Sequence, residues 1–162
     1  MPPPLLFDLQ QIDSGTPRLT RAEIYERLPH RHEFALLDGV RHLDGEVGRI
    51  VTFVDIREDA WWFRGHVPGR PLLPGVLMLE MAAQSSALLA QEITGDHKSF
   101  IGFGGVSACK FREPVTAPGQ LIILCTFKDS RPRRFIANTQ GLINNKLAFQ
   151  AEVTGLRMPP TT

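Results

Sequence analysis

Apolar residues follow two different spacings along this chain. From Val76 to about Gln91, Leu77, Met78, Glu80, Met81, Ala82, Ala83, Gln84, Ala87, Leu88, Leu89 and Ala90 run on without a proline or glycine, which predicts one long helix over about 76–91. Its apolar positions go most of the way round, so other structure should surround it. Short apolar and β-branched runs bounded by turn residues predict strands at 34–43, 49–56, 100–112, 121–128, 134–143 and 147–156. Asp44-Gly45, Pro114, Pro118-Gly119, Arg131-Pro132 and Asn144-Asn145 punctuate them. A shorter helix is predicted after Thr20, because Thr20-Arg-Ala-Glu23 has the form of a capping box and Pro29 stops the helix by Leu28.

Two regions resist regular structure. Residues 1–18 carry four of the thirteen prolines together with Ser14, Gly15 and Thr16, the composition of an extended arm rather than a packed element. The segment 65–75, Gly-His-Val-Pro-Gly-Arg-Pro-Leu-Leu-Pro-Gly, is too dense in glycine and proline for helix or strand. A few strands, one buried helix and then long strands with hairpin-length connections read as an α+β fold, an antiparallel sheet wrapped on a single helix. The expected organisation is an arm over 1–18, one domain over 19–158 and a flexible tail over 159–162.

Composition narrows the class without changing that picture. With 162 residues, 43% of them hydrophobic and 22% charged, the chain is neither a disordered tail nor a fibre. A chain of this length buries roughly 70% of the surface its unfolded form exposes, enough for a core without staples. A net charge of +1 sets up no strong field toward nucleic acid or an anionic membrane, and leaves little repulsion between subunits. Cys109 and Cys125 are too few for a disulfide framework and read as small core residues, and no metal-ligand spacing is present. The N-terminus lacks the basic lead and apolar run of a signal peptide, and no stretch reaches the ~18 apolar residues of a membrane span. The expectation is a cytoplasmic protein.

His66 and Glu80 carry the candidate chemistry. His66 lies in a loop whose glycines and prolines hold an unusual path, and at neutral pH imidazole is a base. Glu80 interrupts an apolar helix, so its carboxylate must be paired, hydrated in a cavity or protonated; burial would raise its pKa and make it a proton donor. Gly75 opens the helix, where free N–H groups and the positive dipole end stabilise a carbonyl oxygen that gains negative charge. Base, acid and oxyanion donor suit an elimination next to a carbonyl. Taken singly, a His in such a loop is more often structural or solvent-facing, and a lone Glu on an apolar helix more often meets solvent or an Arg.

The arrangement as a whole is more specific. Leu-Pro-His-Arg at 28–31, the 65–77 segment from Gly65 to Leu77, Glu80 and Ala83-Gln84, then Phe103-Gly-Gly-Val, Lys110-Phe-Arg-Glu-Pro-Val115 and Pro118-Gly119, resemble in order the FabZ-type β-hydroxyacyl-acyl carrier protein dehydratases of bacterial fatty-acid synthesis. The resemblance covers about 20–157, with Glu80 fourteen residues after His66. It implies the hot-dog fold, a homodimer that in many members trimerises to a hexamer, and active sites at the dimer interface, where His66 of one subunit faces Glu80 of the other. By the same resemblance His66 removes the α-proton of a (3R)-hydroxyacyl thioester, Glu80 protonates the departing hydroxyl, the Gly75 N–H polarises the thioester carbonyl and a backbone carbonyl near Leu72 holds the His tautomer. No cofactor or metal is implied. Gln84, one turn beyond Glu80, is a supporting hydrogen-bond donor or simply a buried polar residue satisfied by backbone.

Departures from the family pattern bear on the acyl tunnel. Val67 stands where Phe is usual, Ile101-Gly102 replaces aromatic gate residues ahead of Phe103, and Ser107 stands where an acidic residue is common. Val67, Gly102 and Phe103 are therefore tunnel candidates. The implied partner is an acidic acyl carrier protein bearing the acyl thioester, for which Arg64, Arg70, Lys110 and Arg112 would form a basic docking rim. The basic cluster Lys128, Arg131, Arg133 and Arg134 reads better as a solvated turn. Trp61, Trp62 and Phe63 fit either an acyl pocket or packing between sheet and helix. Competing readings are a hot-dog acyl-CoA hydratase, a hot-dog thioesterase and a non-catalytic acyl-binding relative. Thioesterases lack the Gly-His-x-Pro-Gly loop, and an idle relative has no need of both His66 and Glu80. Glu80 where FabA-type enzymes carry Asp also points away from double-bond isomerisation.

Overall fold

The computed structural model of this chain describes residues 1–13 and 15–160 and turns the two spacings into helices and strands. The helices are α1 (Arg21–Arg27) and α2 (Gly75–Thr94); the strands are β1 (Leu19–Thr20), β2 (Gly39–Asp44), β3 (Arg49–Ile56), β4 (Phe100–Phe111), β5 (Gly119–Arg131), β6 (Arg134–Ile143) and β7 (Lys146–Met158). They form one antiparallel sheet in the order β1-β2-β3-β5-β6-β7-β4, curled around α2. This is the α+β hot-dog architecture.

Each helix ends where local chemistry dictates. Thr20 and Glu23 satisfy one another's backbone N–H groups in a full capping box ahead of α1. Pro74, with φ −58°, leads into α2, and Gly95, at φ 66°, closes it in the left-handed conformation that glycine adopts without a Cβ penalty. α2 therefore runs three residues past the predicted end at 91. Its second half is buried on all sides from Gln84 to Gln91. Ser85 and Ser86 are tolerated there because their hydroxyls donate back to the Met81 and Ala82 carbonyls at 2.8 Å.

Alternation along the strands divides the core. Ile50, Ile123 and Cys125 face α2, whereas Val51, Leu124, Leu142 and Leu147 face the other way and would meet solvent but for the N-terminal arm. Phe7 is buried in that outer cluster, with Leu6, Leu9 and Ile12 packed around it. Gln140 fastens the arm by accepting from Leu6 N–H and donating to the Pro4 carbonyl, both at 2.9 Å. The proline-rich start is thus a packed cover, with a 3-10 turn at Leu9–Gln11, rather than an unpacked arm. Its apolar residues outweighed what its composition suggested. Ser14 lies outside the described residues, as do 161 and 162 of the segment read as a tail.

The run expected as a strand over 34–43 pairs only from Gly39. Before that, His32–Phe34 forms a 3-10 turn, and the Leu37 N–H goes to the Tyr25 hydroxyl over 2.7 Å instead of to a strand. The short β1 was not predicted; the other predicted strands fall within three residues of their predicted ends.

Close approach explains two glycines in the sheet. A Cβ at Gly141 would come within 2.1 Å of the Phe149 ring, and one at Gly155 within 2.1 Å of the Phe135 ring. Replacing Gly141 by Ala is expected to lower unfolding free energy by about 1–3 kcal/mol, because the fully buried Phe149 has nowhere to retreat. Chemical denaturation beside the parent protein measures it.

Candidate active site

His66 is set by what surrounds its loop. Trp62, Phe63 and Leu73 are buried on either side of it, and the His66 N–H donates to the Trp62 carbonyl at 2.9 Å. Farther along, Leu73 N–H donates to the Val115 carbonyl at 2.9 Å and seats the loop's end. Trp62 and Phe63 thereby belong to the core, while Trp61 is exposed. The His66 side chain opens onto an apolar depression shared with Leu72, Pro74, Gly75, Phe111 and Val115. Among the described residues the His66 ring makes no side-chain hydrogen bond, so the Leu72 carbonyl does not hold its tautomer in the single chain.

Gly75 begins α2 inside this depression. A Cβ there would meet the Phe111 ring at 3.0 Å, so a side chain would press on the ring and crowd the approach to the helix N-terminus. Its N–H lies in the first turn, where no helical carbonyl is in reach. An anionic oxygen beside His66 would find that donor and the helix dipole together.

Glu80 lies in a different hollow, a cavity of about 140 Å³ between α2 and the β4–β7–β6 end of the sheet. His30, Glu80, Gln84 and Thr154 are its polar lining; Gly102, Phe103 and Phe135 contribute to the apolar wall. His30 Nε2 lies 3.2 Å from Glu80 Oε1, and Gln84 Nε2 donates to the same oxygen at 2.9 Å. Gln84 also donates to the Phe34 carbonyl at 2.8 Å and accepts from the Tyr25 hydroxyl at 2.7 Å. Gln84 is thus a buried polar residue whose hydrogen bonds are satisfied by backbone and side chains, Glu80 among them. Burial pushes the Tyr25 hydroxyl far above its usual range.

These contacts overturn one expectation. Glu80 was read as a carboxyl raised by burial, but its pKa lies below the ordinary value. The polar contact with His30 lowers it most, burial opposes, and the Gln84 hydrogen bond and the His30 charge lower it further. In the chain Glu80 is a held carboxylate. Residue spacing on α2 missed His30, which reaches Glu80 across fifty positions; its place directly after the helix-stopping Pro29 was the available clue.

No residue lines both the His66 depression and the Glu80 cavity, so in the single chain the two groups face separate hollows. Of the tunnel candidates, Gly102 and Phe103 line the Glu80 cavity, whereas Val67 is exposed beside His66. A Cβ at Gly102 would meet the Met158 methyl at 2.8 Å, so this narrow position is partly filled from β7. Strand β4 ends the sheet and shows solvent Phe100, Phe103, Val106 and Phe111, between 43% and 53% exposed.

The two groups of basic residues differ in their contacts. Lys128 pairs with Glu152 at 2.6 Å, and Arg131 and Arg134 share Asp129 at 3.1 and 3.4 Å. Arg64, Arg70 and Lys110 are exposed, and Arg112, which borders the His66 depression, donates to Gln150 at 2.9 Å. Cys125 is a buried core thiol pushed up to about 12, and Cys109 is half-buried on β4. Among the described residues no cluster of three His, Cys, Asp or Glu side chains converges as a metal site, and no helix is long and apolar enough to cross a membrane.

Comparison with known proteins matches the sequence to a family and the fold to solved structures. The FabA-like domain family matches residues 28–152, a span containing His30, His66, Gly75 and Glu80. Over 136 residues the chain is 40% identical to the 3-hydroxyacyl-[acyl-carrier-protein] dehydratase FabZ of Albidiferax ferrireducens, covering 82% of this chain and 89% of that protein. The dehydratase FabZ of Klebsiella pneumoniae is 37% identical over 134 residues, 80% of this chain and 86% of its own length. Among solved structures, the dehydratase heterocomplex ApeI:P of Xenorhabdus doucetiae superposes with a TM-score of 0.71 over 83% of this chain and 90% of that one, at 15% identity, a likeness of fold.

Proposed function

This chain belongs to the FabA-like family, and we propose that within it the protein works as a FabZ-type hydro-lyase, reversibly dehydrating (3R)-hydroxyacyl-acyl carrier protein thioesters to trans-2-enoyl thioesters in fatty-acid biosynthesis. The observation that carries the reading is His66 set beside the free Gly75 N–H in one apolar depression. A base next to an oxyanion donor is what α-proton removal beside a thioester carbonyl requires.

The working unit is a homodimer, in which His66 of one subunit meets the partner subunit's Glu80. Two half-sites on one chain and the apolar free edge of β4 support this reading. A second copy joined there would cover that edge. In the dehydration direction, neutral His66 takes the α-proton while the thioester oxygen leans on the Gly75 N–H. The Cβ–O bond breaks, the Cα–Cβ double bond forms, and the hydroxyl leaves as water with a proton from the protonated form of Glu80, the minor form given its lowered pKa, directly or through a water; the step ends with Glu80 ionised and His66 as imidazolium. Hydration runs the same transfers backward, with ionised Glu80 taking a proton from water. Every atom and charge balances within these groups, so the step calls on no metal or cofactor. Gly102 and Phe103 shape the acyl end of the cavity, and Arg64, Arg70, Lys110 and Arg112 supply a basic rim for the acidic carrier, in the cytoplasm.

Purified protein incubated with 3-hydroxyacyl carrier-protein and 3-hydroxyacyl-CoA thioesters of several chain lengths tests the reading. Formation of the conjugated enoyl thioester, faster from the carrier-protein substrate, is expected. Binding of acyl thioesters with no conversion at any length would replace the enzyme by an acyl-binding relative.

A further inference from the structure

Glu80 does not meet the cavity as a free carboxylate. Gln84 Nε2 and His30 Nε2 converge on one oxygen, Oε1, while Oε2 has no protein hydrogen-bond partner among the described residues. The two ends of the carboxylate are therefore unlike. The segment that carries His30 is itself tied down: Pro29 ends α1, and Arg31 Nη1 donates to the Leu28 and His30 carbonyls at 2.8 and 2.7 Å, on both sides of the Pro29 backbone.

The His30 ring adds a second observation. Its Nδ1 is buried and has no hydrogen-bond partner. A hydrogen on Nδ1 would be a buried donor without an acceptor, the more costly way to leave that atom unpaired. The neutral ring therefore carries its hydrogen on Nε2, the nitrogen that faces Glu80. The titratable side chains on this side of Glu80 are His30, from the turn after α1, and Tyr25 of α1, which reaches it through Gln84. The β4, β6 and β7 residues that line the cavity bring no titratable side chain.

We propose that His30 is a positioning residue for Glu80: it donates through Nε2 to one carboxylate oxygen and holds the group so that the other oxygen faces the hydroxyl or water that reacts. This rests on the dehydratase reading and adds what orients its acid–base group. In hydration, the O–H bond of water breaks and its proton passes to Glu80 Oε2 while the Cβ–O bond forms, the Cα–Cβ double bond opens and Cα takes a proton from imidazolium His66; dehydration runs these transfers backward and returns the Glu80 proton to the leaving hydroxyl. His30 neither gains nor loses a proton in either direction, and its contribution is the fixed geometry and charge of Glu80.

The test compares the parent protein with His30→Ala and His30→Gln, using two readouts. One is the carboxyl carbon resonance of Glu80 in glutamate-labelled protein, assigned by its absence in Glu80→Gln and followed against pH without substrate. The other is kcat and KM for hydration of an enoyl thioester across the same pH range. Loss of His30 is expected to move the Glu80 titration, and with it the acid limb of the rate profile, to higher pH. In His30→Ala kcat should drop about tenfold to a hundredfold, the effect of one hydrogen bond to a charged group, with KM little changed. His30→Gln keeps an N–H donor and should recover much of that loss. A Glu80 resonance that titrates at the same pH in parent and His30→Ala, or a loss carried wholly by KM, would overturn the proposal. If parent and Glu80→Gln turn over equally, the dehydratase reading fails, and the carboxyl titration still supports or overturns the His30 contact by itself.

Discussion

Mixing His66→Ala with Glu80→Gln protein, under conditions where subunits exchange, is expected to recover about a quarter of the parent turnover although each variant alone is nearly inactive. Each substitution removes one proton-transfer group, a loss of about a hundredfold to ten-thousandfold. Recovery follows from the place of the two side chains: His66 lines the depression at the start of α2, and Glu80 lines a cavity with which it shares no residue. If each site takes one group from either subunit, a mixed dimer has one site with both groups intact and one with neither. Random exchange makes half of the dimers mixed, and each has half the normal number of sites. Turnover that stays at the level of the separate variants after proven exchange would place both groups of a site in one chain, or in neither.

Shortening Leu88 to Ala is expected to cost about 2–5 kcal/mol, out of total stabilities that run to about 5–15 kcal/mol for folded domains. Leu88 is 0% exposed and lies in the stretch of α2 that is buried all round, where neighbours on every side keep the structure from collapsing into the space left behind. The denaturant midpoint should fall with an unchanged slope. Val47→Ala, in the turn between β2 and β3 and 59% exposed, serves as the comparison and should stay within about 0.5 kcal/mol. A Leu88→Ala protein as stable as Val47→Ala would mean that α2 is not the centre of the core.

How far the fold could be read in advance depended on how local its causes are. Pro74 and Gly95 bracket α2, Thr20 and Glu23 start α1, and Asp44-Gly45 turns β2 into β3, all through contacts within a few residues. The N-terminal arm was misjudged because its prolines and small residues describe only its own conformational preferences. What packs it is Phe7 against Val51, Leu124, Leu142 and Leu147, residues at least 44 positions away. Phe34 misled for a related reason: its run is apolar enough for a strand, but the Tyr25 hydroxyl takes the Leu37 N–H that a ladder would use.

The candidate site divides along the same line. His66, Gly75, Glu80 and Gln84 fall within nineteen residues of chain, so their types, spacing and resemblance to a family pattern could be read without coordinates. The charge state of Glu80 could not, because burial alone raises a carboxyl and only the approach of His30 reverses the sign. By itself the sequence determined most of the helices and strands, to within a few residues at their ends, and which side chains are available for proton transfer, since capping, turn chemistry and periodicity act over a few residues. Only the tertiary structure decided that β4 closes the sheet beside β7, that His30 comes within 3.2 Å of Glu80 and that His66 stands in a separate depression. Those relations depend on which distant surfaces can be buried together, and they are set by packing of the whole chain.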